Sequence, residues 1–160
     1  MKPIIAIIGR PNVGKSTLFN RLARGKKVIV INQPGATRDR NYADSSWKDK
    51  TFTIIDTGGF EPVSADRMLT QMRQQTELAI KEADAIIFLM DGKEGLTPAD
   101  IDTAEIMRRT RKKVIYAVNK IDGLKQEALS FDFYRLGIDN IYSISAEHGL
   151  GIGDLMDEVV

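Results

Sequence analysis

The sequence contains no cysteine and a single histidine, His148. The first absence excludes a disulfide framework, a thiolate zinc site and a cysteine nucleophile. The second argues against a histidine metal cluster or a Ser-His relay. Neither sign of charge prevails: Lys and Arg number 23, Asp and Glu 22, for a net charge of +1. That balance excludes a strongly basic nucleic-acid wrapper and an acidic disordered tail, though not a local patch. No apolar run approaches the ~20 residues of a membrane-spanning helix. The run Ile4–Ile8 behind Met1-Lys2-Pro3 is too short for a signal-peptide core. A cytoplasmic protein with no membrane partner is expected. What remains is 160 residues, 42% hydrophobic and 28% charged, an ordinary composition for one soluble domain able to bury a core.

Apolar β-rich runs alternate with helical patterns. Ile4–Ile8 is continuous and largely β-branched, as suits a strand buried on both faces. Leu18, Phe19 and Leu22 recur at helical spacing after a glycine-bounded loop. Asn41–Trp47 and Thr51–Ile55 read as a hairpin across Lys48-Asp49-Lys50. A helical stripe covers Gln71–Ala83, followed by a buried strand at Ala85–Met90. Thr97-Pro98-Ala99-Asp100 has the residues of a helix start. Strands at Val114–Val118 and Ile141–Ile144 flank a helical stretch at Gln126–Leu136, and Ile152–Val160 begins a last helix. This alternation predicts an α/β fold with helices on both faces of a mostly parallel sheet of six strands, one of them antiparallel.

Gly9-Arg10-Pro11-Asn12-Val13-Gly14-Lys15-Ser16 fits G-x-x-x-x-G-K-[ST], the phosphate loop, and Thr17 continues it. The glycines let the backbone wrap a phosphate with its N–H groups, aided by the following helix N-terminus. Lys15 can reach the outer phosphates, and Ser16 can offer a hydroxyl to Mg²⁺. A buried strand enters this loop and an amphipathic helix leaves it, as the motif requires. Asp56-Thr57-Gly58-Gly59, with Phe60 next, follows the strand at Thr51–Ile55. An acid at the carboxyl end of a strand lies in the crevice where such sheets bind ligands. There Asp56 can hold Mg²⁺ through water, and the Gly59 N–H can sense a γ-phosphate.

Asn119-Lys120-Ile121-Asp122 follows the strand at Val114–Val118. The Asp122 carboxylate can accept the ring N–H and exocyclic amine of guanine, a donor pair adenine lacks. Lys120 can lay its stem along the base, and Asn119 can tie this loop to the phosphate loop. A backbone N–H at Ser145-Ala146 can donate to the guanine O6. A P-loop kinase or ATPase fits the first motif and leaves Asn119–Asp122 unexplained.

In order, these motifs resemble the G domain of translation-factor-related GTPases over nearly the whole chain. More narrowly, Gly9–Leu22, Pro34-Gly35-Ala36-Thr37-Arg38-Asp39-Arg40 and Gly58-Gly59-Phe60 resemble the first G domain of the Der (EngA) family of bacterial tandem GTPases. The resemblance implies a P-loop NTPase three-layer sandwich and a GTP-hydrolysing switch domain serving assembly of the large ribosomal subunit. It also implies partners in GTP, GDP and the 50S particle or its rRNA. It further implies that residues 1–160 are one G domain from a larger protein with a second G domain and a KH-like domain; the final helix has no stop signal. Thr37 becomes the switch threonine that completes the Mg²⁺ shell with Ser16 and Asp56. The segments Asn32–Arg40 and Thr57–Gln75 become the switches.

One departure bears on catalysis. Many GTPases carry a water-orienting glutamine where this chain has Phe60, whose ring cannot make that hydrogen bond. Either intrinsic turnover is slow, leaving a guanine-nucleotide-binding assembly module, or another group acts. In potassium-stimulated relatives of the Era and TrmE kind, the asparagine at the position of Asn12 ligates K⁺. The alternative is that Asn12 only favours the loop conformation. The expected catalytic set is Lys15, Thr37, Gly59 and Asn12. Arg10 is expected to be solvated, with an internal charge donor as the alternative. Arg108–Lys113, five cations in six residues, reads as a helix terminus complementing its dipole or as an RNA-facing patch. Met68 and Met72 read as core or switch packing rather than a cofactor site, and His148 as a loop residue near the base.

Overall fold

The computed structural model describes residues 2–25, 28–31, 40–57 and 65–160, with the backbone alone described at 30–31 and 124–127. Among the described residues seven strands form one sheet in the order β2-β3-β4-β1-β5-β6-β7. They are β1 (Ile4–Ile8), β2 (Val28–Ile31), β3 (Arg40–Trp47), β4 (Lys50–Asp56), β5 (Ala85–Asp91), β6 (Lys113–Asn119) and β7 (Ile141–Ser143). β1 lies parallel between β4 and β5, and β6 and β7 continue the parallel side. β3 pairs antiparallel with both β2 and β4, so it alone runs against the rest. Six strands were expected; the seventh, β2, is a short edge strand. Val28 and Ile29 are half exposed there, although Val28–Ile31 is a continuous β-branched run like those of the inner strands.

Alternation along the strands divides the core. Ile5, Ile7, Ile54, Ile87 and Leu89 face helices α1 (Lys15–Leu22) and α4 (Ile152–Val159), through Leu18, Phe19, Leu155 and Met156. Ala6, Ile8, Ile55, Ile86, Phe88 and Met90 face α2 (Ala65–Glu82), α3 (Pro98–Arg108) and a 3-10 segment at Leu124–Leu136. Every residue of β5 is buried. Each such isoleucine or leucine contributes about 1.5–3 kcal/mol by leaving water, which fixes the three-layer arrangement.

Local chemistry sets the boundaries. Thr97 and Asp100 form a reciprocal capping box, and Pro98 opens α3. The hairpin turns at Lys48-Asp49 with Trp47 opposite Lys50. The Trp47 Nε1 donates to Asp157 at 2.7 Å, fastening the hairpin to α4. The stretch expected to be helical at Gln126–Leu136 winds with 3-10 hydrogen bonds and ends at Gly137 with φ 76°. The carboxyl ends of β1, β4, β5 and β6 converge on one rim, and three of the motifs sit there.

Candidate functional site

The phosphate loop joins β1 to α1. Its tight course depends on the two motif glycines. A Cβ on Gly9 would lie 2.4 Å from the Leu89 carbonyl oxygen, and one on Gly14, at φ 106°, 2.1 Å from Asn119 Nδ2. Lys15 turns inward, its Nζ donating to the Gly9 and Arg10 carbonyls at 2.6 and 3.0 Å. Burial lowers its pKa to about 8; Asp56 opposes that shift and Arg10 adds to it. The ammonium is thus desolvated and held where incoming phosphate charge stabilises it.

Ser16 Oγ donates to Asp56 Oδ2 at 2.9 Å. The two expected metal ligands from separate motifs therefore meet, with Asp56 at 1% exposure beneath an exposed hydroxyl. Thr57 does not face a ligand: its hydroxyl donates to the Ile7 carbonyl at 2.9 Å and fastens β4 to β1. Among the described residues no group of three His, Asp or Glu side chains could hold a metal ion. A hard cation would rest on Ser16 and Asp56 together with oxygens from phosphate and water, a donor set of the kind Mg²⁺ takes. Thr37, Arg38, Asp39, Gly58, Gly59 and Phe60 lie outside the described residues, as does most of Asn32–Arg40.

Asn119 does what its spacing suggested. Its Nδ2 donates to the Val13 carbonyl at 2.8 Å, and its Oδ1 accepts the Ala146 N–H at 2.9 Å. One buried amide thus joins the phosphate loop, β6 and the Ser145-Ala146 turn. This changes the expected role of that turn. The Ser145 N–H is spent on the Leu150 carbonyl, and the Ala146 N–H on Asn119. Neither is a spare donor for a base, so a donation to O6 from Ala146 is one shared with Asn119. Asp122 accepts from Ser145 Oγ at 2.9 Å and pairs with Lys93 Nζ at 3.2 Å. Those two partners hold its pKa below the ordinary carboxylate range. A cavity of about 250 Å³ opens between Gly14, Thr17, Lys93, Asn119, Lys120, Asp122, Ser145 and Glu147. A larger groove of about 770 Å³ lies elsewhere, between the 3-10 segment, β7 and α4, and contains none of the phosphate-loop residues. His148 is half exposed, its Nε2 4.0 Å from Asp122 Oδ1.

Lys120 spans the site. At φ 69° it sends its Nζ to the Asn12 carbonyl at 2.9 Å and to Asp91 Oδ2 at 2.7 Å. Asn12 has φ 68°, a region asparagine tolerates better than most residues; this supplies the conformational reason for its presence. The side chains of Pro11, Val13 and Ile121 line no part of that cavity, and Val13 and Ile121 are buried.

Arg10 departs from expectation. It is not solvated: it is 5% exposed and paired with Asp100 and Glu94. Its side chain leaves the loop, and its carbonyl alone meets Lys15.

Asp91, Lys93 and Glu94 are site residues that the motif reading missed. Burial pushes Asp91 up, but Lys120 and the Lys93 and Glu94 backbone N–H groups outweigh it, leaving its pKa lowered. The available signal was an acid directly after the buried run Ala85–Met90, the same argument that singled out Asp56.

Comparison with known proteins agrees with this geometry. Residues 4–120 match the family model described as 50S ribosome-binding GTPase. Over its full length the chain is 61% identical to the protein named GTPase Der of Geotalea daltonii and covers 36% of that relative. The chain therefore spans about a third of the length of the curated relatives it matches. Era, in a crystal structure with MgGDPNP and nucleotides 1506–1542 of 16S ribosomal RNA, superposes with a TM-score of 0.71 at 32% identity, covering 99% of this chain and 56% of that one. The G domain of the Thermotoga maritima FeoB iron transporter does so with 0.73 at 27%, covering 99% and 97%. With phosphate-loop, carboxylate and Asn-Lys-x-Asp elements on one rim and the family match across most of its length, the chain belongs to the family of 50S ribosome-binding GTPases.

Proposed function

We propose that the chain is a switch domain that binds GTP, hydrolyses it to GDP and phosphate, and serves assembly of the large ribosomal subunit. The observation that carries the nucleotide reading is the Asn119 amide. It bonds at once to the phosphate loop and to the Ser145-Ala146 turn, so phosphate and base determinants form one rigid unit.

In this reading the phosphate lies in the Gly9–Thr17 loop, with the Lys15 ammonium turned to the outer phosphates from its seat on the loop carbonyls. Asp122, already ionised, accepts the guanine donor pair in place of part of its contact with Lys93. Lys120, held at its tip by Asn12 and Asp91, lies across the base. Ser16, Thr37 and, through water, Asp56 are the residues to hold Mg²⁺, which when bound supplies positive charge against that developing on the phosphoryl oxygens. Gly59 is the backbone sensor of the γ-phosphate. Phe60 orients no water, so Asn12, as a ligand for K⁺ beside the phosphates, is the proposed source of further charge.

The test is Asp122→Asn. An amide offers a donor where the carboxylate offered only acceptors, so affinity for GTP should fall by about 10²-fold or more. Xanthosine triphosphate should become the favoured ligand. Retained GTP preference removes Asp122 from this role, and stronger competition by ATP than by GTP against the unaltered chain defeats the guanine reading. Single-turnover phosphate release separates the hydrolysing switch from a module that only binds.

A further inference from the structure

Arg10 sits inside the phosphate loop, yet its side chain is directed away from Lys15. Its Nε donates to Asp100 Oδ1 at 3.0 Å, and one terminal nitrogen pairs with Glu94 at 2.9 Å. The other terminal nitrogen is buried without a hydrogen-bond partner among the described residues. The Arg10 and Asp100 side chains are 6% and 0% exposed. A buried pair of this kind stabilises little beyond an apolar equivalent, so stability alone does not explain it.

Its connections do. Asp100 is also the capping-box acid of α3, accepting the Thr97 N–H at 3.1 Å while its own N–H reaches Thr97 Oγ1. The first turn of α3 and the phosphate loop are thus fixed through one carboxylate. α3 is in turn bound to α2: Arg73 forks onto Asp102 at 3.0 and 2.8 Å, and Met72 packs with Ala99. At the other end of the chain of contacts, the Arg10 carbonyl holds Lys15 Nζ.

We propose that Arg10 is a positioning residue for hydrolysis, coupling the seating of Lys15 in the phosphate loop to the α3–α2 pair. This rests on the GTPase reading above and adds to it a route from the outer phosphates to helices that touch no nucleotide. The guanidinium is suited to it because its rigid fork engages two acids at once, on α3 and on the loop before it.

The experiment compares the unaltered chain with Arg10→Lys and with the double variant Arg10→Met, Asp100→Asn. The double variant removes both buried charges together and keeps an oxygen for the Thr97 cap. Three quantities are read: the GDP dissociation constant, the single-turnover rate of GTP hydrolysis, and amide hydrogen exchange over residues 98–103 with GDP and with a non-hydrolysable GTP analogue. In the unaltered chain the analogue should change exchange at 98–103 relative to GDP. In the double variant that difference should vanish and hydrolysis slow by about tenfold or more. GDP affinity should stay within about threefold of the unaltered chain, the split that marks a loss confined to the transition state. Arg10→Lys should fall between, since an ammonium cannot fork both acids. An unchanged exchange difference overturns the proposal, as does hydrolysis within about twofold of the unaltered rate. So does a fall in GDP affinity that parallels the fall in hydrolysis. If the double variant does not fold, Arg10→Lys is judged by the same three readings. An unaltered chain that neither binds nor hydrolyses GTP defeats the function reading itself, a distinguishable result.

Discussion

Two residues of the phosphate loop carry more chemistry than their motif positions state. Lys15 has its pKa lowered by burial to about 8 from its ordinary 10.5. Between those values the unfolded chain keeps a proton that the folded chain has released. Stability of the nucleotide-free, metal-free protein should therefore rise with pH through that window, by up to roughly 3 kcal/mol from this group. Urea midpoints measured from pH 7.5 to 10 check this; Lys15→Met should flatten the slope, and equal slopes in both proteins count against it. Asn12 is the second. Its left-handed backbone explains an asparagine here without any cation, so the potassium proposal stands or falls on kinetics. Turnover in KCl should exceed that in matched NaCl, and Asn12→Ala should abolish the difference. Equal rates in the two salts leave Asn12 only its conformational role.

The elements matter through their ends. The rim is assembled from strand termini and the first turns of α1 and α3, so its precision depends on how closely those ends approach. Gly14 is the tightest point. At φ 106° and with a Cβ position 2.1 Å from Asn119 Nδ2, alanine there must displace the amide that bridges the phosphate loop to the Ser145-Ala146 turn. Backbone strain of this kind costs on the order of 1–3 kcal/mol. Gly14→Ala should lower GDP affinity by about tenfold or more while leaving far-ultraviolet circular dichroism unchanged, since beyond its chain neighbours and the α1 backbone that Cβ meets only Asn119. Fluorescent-nucleotide titration measures this. An unaltered dissociation constant would show that the Asn119 bridge is dispensable. α3 illustrates the same principle at its other end. There Arg108 pairs with Glu105 at 3.3 Å, and Lys113 begins β6 with its ammonium on the Glu158 carbonyl. Part of the basic run is thus spent within the fold.

For the whole molecule, Arg108, Arg109, Arg111 and Lys112 remain exposed on one end of α3 and the turn after it. If that patch serves the proposed ribosomal role, charge reversal at Arg108 and Arg109 should weaken binding to 50S particles and reduce its salt dependence. Sedimentation with particles at two salt concentrations tests this, and unchanged co-sedimentation assigns the run to the helix dipole. No helix among the described residues is long and apolar enough to cross a membrane. The amino-acid sequence by itself determined the α/β order, the inner strands, the capped start of α3 and the identity of the nucleotide motifs. These depend on short-range patterns: buried β-branched runs, a capping box, glycines at fixed spacing. Only the tertiary structure decided the rest. The edge strand β2, the run Val28–Ile31, belongs to the sheet only through its antiparallel pairing with β3. Asp91 and Lys93 reach the site because β5 lies beside β1 and β6, an adjacency no local spacing encodes. Arg10 looked like a loop arginine until Asp100, ninety residues on, was brought against it. Charge pairs between distant segments exist only once the sheet has set which strand ends and helix starts are neighbours.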